Sequence, residues 1–206
     1  MENNMGYSFC KRIFDLCGSF LGMVFSAPFF AIVSLAILID SGGPVFFKQG
    51  RVGKNGKIFK IYKFRTMVKK APALGQNFTT PANDARITKI GHFLRRHNID
   101  ELPQLINVLK GEMSLVGPRP EVWEIVQLYR PEQKKVLSVR PGMTDYASLE
   151  FRREGEMVNK SGDLFKDYTE KILPKKINLQ LKYIERKSFR TDIELIFKTV
   201  AAILGK

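Results

Sequence analysis

RRHNIDELPQLINVLKGEMSLVGPRPE, running from Arg95 to Glu121, is the stretch around which this 206-residue chain is organised. Two carboxylates, Asp100 and Glu101, stand side by side with arginines before and after them, and Pro103 follows closely. A Gly-Pro-Arg-Pro turn at 117–120 holds Arg119 between two prolines, which limit the backbone freedom that must be lost on ordering. Asn98 through Glu101 has the pattern of a capping box, and Pro103 suits a first helical turn, so a helix is expected from about 100 to 109, stopped by Gly111. On that account alone the two carboxylates are helix-start residues. The same position serves chemistry, because a helix N-terminus favours an ionised carboxylate and a carboxylate nucleophile must be ionised. Adjacent helical residues point about 100° apart, so Asp100 and Glu101 can take different tasks. Carboxylates also suit Mg²⁺, a hard ion that bridges one or two of them to phosphates, and Asp100 is the candidate ligand. Arg95, Arg119 and Arg140 are candidate phosphate clamps, since guanidinium groups grip phosphate bidentately. The competing account of Arg119 is a salt bridge to an acidic residue of the core.

Working outward, the N-terminal side carries a run with no charged residue from Leu16 to Ile39. It is long enough for a membrane helix, which needs roughly 20 apolar residues. Ser26-Ala27-Pro28 falls at its centre, and a proline there predicts a break. Lys11 and Arg12 precede the run, and residues 40–70 carry nine basic residues against one acid, Asp40. Basic residues favour the cytoplasmic side, so two basic flanks suit a re-entrant helix–break–helix over residues 1–40 better than a spanning one. Residues 41–206 then form a cytoplasmic domain. Strand-like segments at Val45–Phe47 and Ile58–Tyr62 enclose Gly53-Lys54-Asn55-Gly56, a hairpin signal. Alternation places Phe59, Ile61 and Lys63 on one face, with Lys60, Tyr62 and Phe64 on the other. Arg51, Lys63 and Arg65 either face solvent or face anionic groups.

Residues 69–83 read as a loop, and 84–97 as an amphipathic basic helix that packs on the core or lies in a membrane interface. Further helices are expected at about 121–129, before Arg140, at 168–183, and at the C-terminus, where Phe189, Ile193, Ile196, Phe197, Val200 and Leu204 share a stripe. The expected class is α+β, mostly helical, with a re-entrant membrane helix, interfacial amphipathic helices and a small β-hairpin or sheet.

Charge and composition narrow the function classes. Lys and Arg outnumber Asp and Glu 34 to 20, which suits an anionic partner: nucleic acid, anionic lipid or a phosphorylated substrate. The uncharged run and the absence of a nucleic-acid motif argue against the first. Cys10 and Cys17 lie two helical turns apart, too far for a disulfide. His92 and His97 are the only histidines, and neither belongs to a serine-nucleophile motif.

The ordered motifs together resemble the monotopic phosphoglycosyl transferases, also called bacterial sugar transferases, over nearly the whole chain. They are Lys11–Asp15, Ser26-Ala27-Pro28, Pro44–Gln49, Phe59–Met67, Asp100–Leu105, Gly117–Glu121, Arg140-Pro141-Gly142 and Asp192. The resemblance implies transfer of a sugar-1-phosphate from a UDP-sugar to a polyprenyl (undecaprenyl) phosphate, with UMP released. It further implies Mg²⁺ dependence, a covalent intermediate on Asp100 with Glu101 as helper, and a re-entrant anchor among lipids on the cytoplasmic face of the bacterial inner membrane. Products of this kind start O-antigen, capsule, exopolysaccharide and glycoprotein glycans; no nucleic acid is implied. Where the family pattern reads Gly-Trp, this chain has Asp145-Tyr146, a change with a bearing on sugar choice. A non-catalytic scaffold is opposed by the intact Asp100, Glu101, Arg119 and Arg140.

Overall fold

A computed structural model describes residues 4–69, 71, 80–81, 83–157 and 164–205. The chain is a mostly helical α+β protein, as its sequence pattern predicts. Helix α1, Asn4–Ser41, contains Pro28 and runs through it without interruption, so the expected break at Ser26–Pro28 does not divide the helix. Ser26 Oγ donates to Gly22 O at 2.6 Å, one turn back, so it does not satisfy the carbonyl that Pro28 deprives of a donor. Proline removes a single backbone donor, and the packing of α1 lies on either side of it. Asp15, Ser19, Val33 and Ile37 are buried on one stripe, and Gly22 lies against Leu105. The remaining circumference exposes Phe20, Leu21, Val24, Phe25, Ile32, Leu35 and Ile39.

The hairpin forms as expected: β1 (Phe46–Val52) and β2 (Ile58–Phe64) pair antiparallel, Phe46 opposite Phe64 and Val52 opposite Ile58. Asn55 and Gly56 in the connection take positive φ, at 57° and 78°, the conformation for which asparagine and glycine suit tight turns. The two faces of β2 separate as alternation requires. Ile61 packs with Val108 and Met113, while Phe64 packs with Val33, Ile37 and Leu94.

The basic helix expected at 84–97 shortens to α2, Lys89–Arg96, capped by the Thr88 hydroxyl. Asp84 and Arg86 form an ion pair at 2.6 Å instead of a helical turn. Gly91 lets α2 lie directly on β2's extension, for a Cβ there would sit 2.1 Å from Thr66 O. Helix α3 is Gln104–Lys110; the preceding Ile99–Glu101 is a single 3-10 turn. The capping box is not formed, since Asn98 is left-handed (φ 56°) and makes no side-chain cap. Strand β3, Ser114–Val116, pairs in parallel with β4, Gly142–Thr144.

Between these strands lie α4 (Trp123–Val126) and a 3-10 segment, Gln133–Ser138. Beyond β4 come α5 (Tyr146–Glu150), α6 (Glu154–Met157), α7 (Leu164–Asp167), α8 (Leu173–Arg186) and α9 (Phe189–Leu204). The largest core joins β3, α4, α8 and α9 through Val116, Ile125, Ile177, Tyr183 and Leu195. Part of the loop expected at 69–83 and residues 158–163 fall outside the described residues.

Candidate active site

The two carboxylates of the central stretch sit on a turn and meet opposite environments. Glu101 is gripped by two cations: Lys63 Nζ donates to Oε1 at 2.7 Å, and Arg119 donates to both oxygens, Nη1 to Oε2 at 2.8 Å and Nη2 to Oε1. Burial pushes the Glu101 carboxyl up, but Arg119 and Lys63 outweigh it and hold it well below its usual range. Asp100, 7% exposed, accepts no hydrogen bond among the described residues. Burial raises its carboxyl to about 6 against the pull of Lys63, with Glu101's charge adding to the rise. One member of the pair is thus fixed and anionic. The other is left with free oxygens at the wall of an open cleft of about 1410 Å³.

Each cation is delivered by a different element. Lys63 comes from β2, on the face that alternation assigned to it. Arg119 comes from the turn after β3, and the second arginine-proline motif holds that turn. Gly142 N donates to Pro118 O at 3.0 Å and Gly117 N to Thr144 O at 2.9 Å. A Cβ on Gly142 would lie 2.0 Å from Gly117 N, so the two glycines are the condition for the contact. Arg95, half-buried on α2, donates Nε to Thr66 Oγ1 at 2.8 Å. Burial lowers its pKa, with Asp100's charge opposing the shift, and its side chain lines the cleft. Arg65 also lines the cleft and closes the end of α1, donating Nη2 to Ser41 Oγ at 2.8 Å and to Gly42 O. Its buried Nε and Nη1 have no partner among the described residues. Arg140 is placed elsewhere: it does not line the cleft, is exposed, and donates Nε to Gly111 O at 2.9 Å.

A second buried network stands behind Arg119 and is illegible in the sequence. Lys176 Nζ, on α8, donates to Glu121 Oε1 at 2.9 Å, Glu154 Oε2 at 2.9 Å and Tyr168 OH at 3.0 Å. Arg51 donates to Pro120 O at 3.2 Å and pairs with Glu121 at 3.5 Å. Burial favours the neutral lysine, but Glu121, Tyr168 and Glu154 outweigh it and raise its pKa. A lysine in a basic helix carries no sequence mark of this role; only Glu121, closing the Pro-Arg-Pro motif, pointed there. Asp145, where the family pattern has glycine, caps α5 by accepting from Ser148 N at 2.6 Å.

The donor set fits Mg²⁺ in its phosphate-bridging mode. No group of three or more His, Cys, Asp or Glu capable of caging a metal occurs among the described residues. A buried carboxylate with unengaged oxygens is what an ion sharing its shell with substrate phosphates and water requires, and Asp100 supplies it.

The family model described as bacterial sugar transferase matches residues 6–206. The chain is 40% identical over 196 residues to an undecaprenyl-phosphate glucose phosphotransferase of Komagataeibacter xylinus, covering 92% of this chain and 35% of that protein. It is 40% identical over 202 residues to the exopolysaccharide production protein PSS of Rhizobium leguminosarum bv. phaseoli, covering 95% and 96%. It is 36% identical over 196 residues to the UDP-glucose:undecaprenyl-phosphate glucose-1-phosphate transferase of Escherichia coli K12, covering 92% and 39%. The chain therefore spans little more than a third of the first and third of these relatives and nearly all of the second.

Proposed function

The chain belongs to the bacterial sugar transferase family, and from that premise we propose that it transfers a sugar-1-phosphate from a UDP-sugar to undecaprenyl phosphate. The observation that carries the reading is the asymmetry of the pair: Glu101 held by two cations, Asp100 buried, unengaged and open to the cleft. In the first step an Asp100 oxygen attacks the sugar-bearing phosphorus. A phosphorus–oxygen bond to Asp100 forms, the anhydride bond breaks, and UMP leaves with the bonding electrons. In the second step an oxygen of the acceptor phosphate attacks the same phosphorus and frees the carboxylate. Glu101 stays anionic throughout and holds Arg119 and Lys63 in place around the transferring group, where fixed charges stabilise the transition state. Arg95 is the phosphate donor on the α1 side of the cleft, with Arg65 fixing the end of α1 beside it. Bound Mg²⁺ would neutralise charge on the diphosphate, with Asp100 as its protein ligand.

The setting is a membrane surface. At one end of α1, Tyr7 OH and Lys11 Nζ bind Asp192 on α9, each at 2.9 Å. At the other, Asp40 accepts from Ile90 N at 3.2 Å and Ser41 meets Arg65. Both ends are tied to one body, which supports an anchor that enters the bilayer and keeps its termini on one side. The cytoplasmic face of the inner membrane is the side that holds nucleotide sugars. The exposed apolar face of α1, with Phe93 of α2 and Phe197 of α9, is the surface offered to lipid.

The test is UMP release from a panel of UDP-sugars by the full chain in lipid nanodiscs, with Mg²⁺ and with or without undecaprenyl phosphate. Acceptor-dependent release with at least one sugar is expected. No release, together with no labelled phosphosugar adduct on the protein, would sink the proposal.

A further inference from the structure

The cleft has an apolar arm that the chemistry around Asp100 does not use. Its floor is the parallel ladder of β3 and β4, in which Ser114 pairs with Gly142 and Val116 with Thr144. Side chains alternate across a strand. Leu115 and Met143 therefore stand together on the cleft face, while Ser114 and Val116 are buried beneath; Thr144, itself buried, reaches the cleft beside α9. One wall is α1, through Phe14 and Gly18; the other is α9, through Ile196, Val200 and Ile203. Both walls are tied down. Asp15 accepts from Ser114 Oγ and Leu115 N, each at 3.0 Å. Phe14 meets Phe189 edge-on at 5.0 Å, and the Thr144 and Thr199 hydroxyls bond at 2.7 Å. Gly18 lets α1 rest on the floor, since a Cβ there would come within 2.7 Å of Leu115 Cδ1.

The arm connects two chemically different places. Inward, β3 runs through Gly117 into Pro118-Arg119-Pro120, so the floor ends three residues short of the guanidinium that grips Glu101. Outward, Val200 lines the arm and is itself 48% exposed, beside exposed Ile193 and Phe197 on α9 and Ile13 and Leu16 on α1. A cationic inner end and an apolar outer end that reaches the lipid-facing surface match an amphiphile with a phosphate head. We infer that the groove between α1 and α9 holds the isoprenoid chain of the acceptor, with its phosphate delivered to Asp100. The inference rests on the acceptor reading above.

Ile196→Trp fills the arm without touching the charged residues. The assay compares kcat/KM of the full chain, in detergent, for undecaprenyl phosphate and for the short geranyl phosphate at saturating UDP-sugar, and measures the KM for the UDP-sugar at a fixed concentration of each acceptor. The long-to-short ratio is expected to fall about tenfold or more, the scale of steric discrimination in an apolar pocket. An unchanged ratio, whether activity is kept or lost equally with both acceptors, overturns the inference, as does an effect confined to the KM for the UDP-sugar. A second measurement needs neither the variant nor turnover: a prenyl phosphate bearing a photoreactive group at its tail, irradiated with the wild-type chain. Labelling within residues 9–20 or 189–204 is expected; labelling confined to other segments overturns it. If wild-type protein releases UMP while the tail labels elsewhere, the groove is wrong and the transferase reading stands. If no UDP-sugar yields UMP, the transferase reading fails on its own test.

Discussion

Replacing Asp100 by asparagine should stabilise the fold while it abolishes turnover. The carboxyl moves from its ordinary 3.8 to about 6 because burial penalises the charged form more than Lys63 favours it. Between those values the folded chain keeps a proton that the unfolded chain has released, so stability falls as pH rises through this window and stays lower above it. At 1.36 kcal/mol per pH unit, the loss at neutral pH is about 3 kcal/mol. Asp100 is 7% exposed, so solvent screening removes little of it. Asparagine keeps the shape and carries no charge to desolvate. For a chain of this size the gain corresponds to a rise in melting temperature of roughly 6–12 °C. The assay is thermal unfolding of both proteins in nanodiscs at about pH 7.5 and about pH 4. The variant should lead at the higher pH and lose most of its advantage at the lower, where the wild-type carboxyl is protonated too. An asparagine variant less stable than wild type at pH 7.5 would refute the reasoning, since that is the sign expected of a helix-start carboxylate. An advantage of the same size at both pH values would refute it as well.

Glu101→Gln leaves Lys63 and Arg119 facing each other without their shared anion. It should cost about 2–3 kcal/mol in denaturant unfolding, less than full burial would give because the side chains keep about a fifth of their surface, and should lower kcat about a hundredfold or more. Arg119→Ala should lose activity on the same scale, whereas Arg140→Ala, outside the cleft, should stay within about threefold of wild type in UMP release. Chelation of Mg²⁺ should abolish UMP release without lowering the melting temperature in the absence of substrate, because Asp100 alone among the described residues offers a free carboxylate at the pair. In a Cys17→Ala background, Cys10 and an introduced Ser41→Cys should react with an impermeant thiol reagent from the same face of sealed vesicles; opposite accessibility would exclude re-entry.

Much of the fold is legible because it rests on local rules. Period-two alternation in Phe59–Phe64 separates Ile61 and Lys63 from Phe64, and the structure sends Ile61 and Phe64 to different cores and Lys63 to the cleft. Asn55-Gly56 marks the hairpin turn because both residues tolerate positive φ. Local rules fail where a distant partner outbids them. Asn98 and Glu101 have the letters of a capping box, but Arg119 and Lys63 draw the Glu101 carboxylate away from the backbone it would have capped. Pro28 predicts a break, yet α1 stays helical on both sides of it, since a proline removes only one backbone donor. Lys11 and Arg12 read as a membrane flank, but Lys11 binds Asp192 at 2.9 Å and Arg12 closes α3 by donating to Val108 O at 2.7 Å and Leu109 O at 3.1 Å.

By itself, the sequence determined the class of fold, the long apolar helix and the adjacency of two carboxylates, because periodicity, hydropathy and residue order are properties of neighbouring residues. Only the tertiary structure decided which carboxylate is held and which is free. That depends on β2, the Pro-Arg-Pro turn and α8 converging from positions far apart in the chain, and on the burial that raises Asp100 while two cations hold Glu101 down. The same convergence moved Arg140 out of the cleft and brought in Lys176, whose buried charge is tolerable only because Glu121, Glu154 and Tyr168 meet it there.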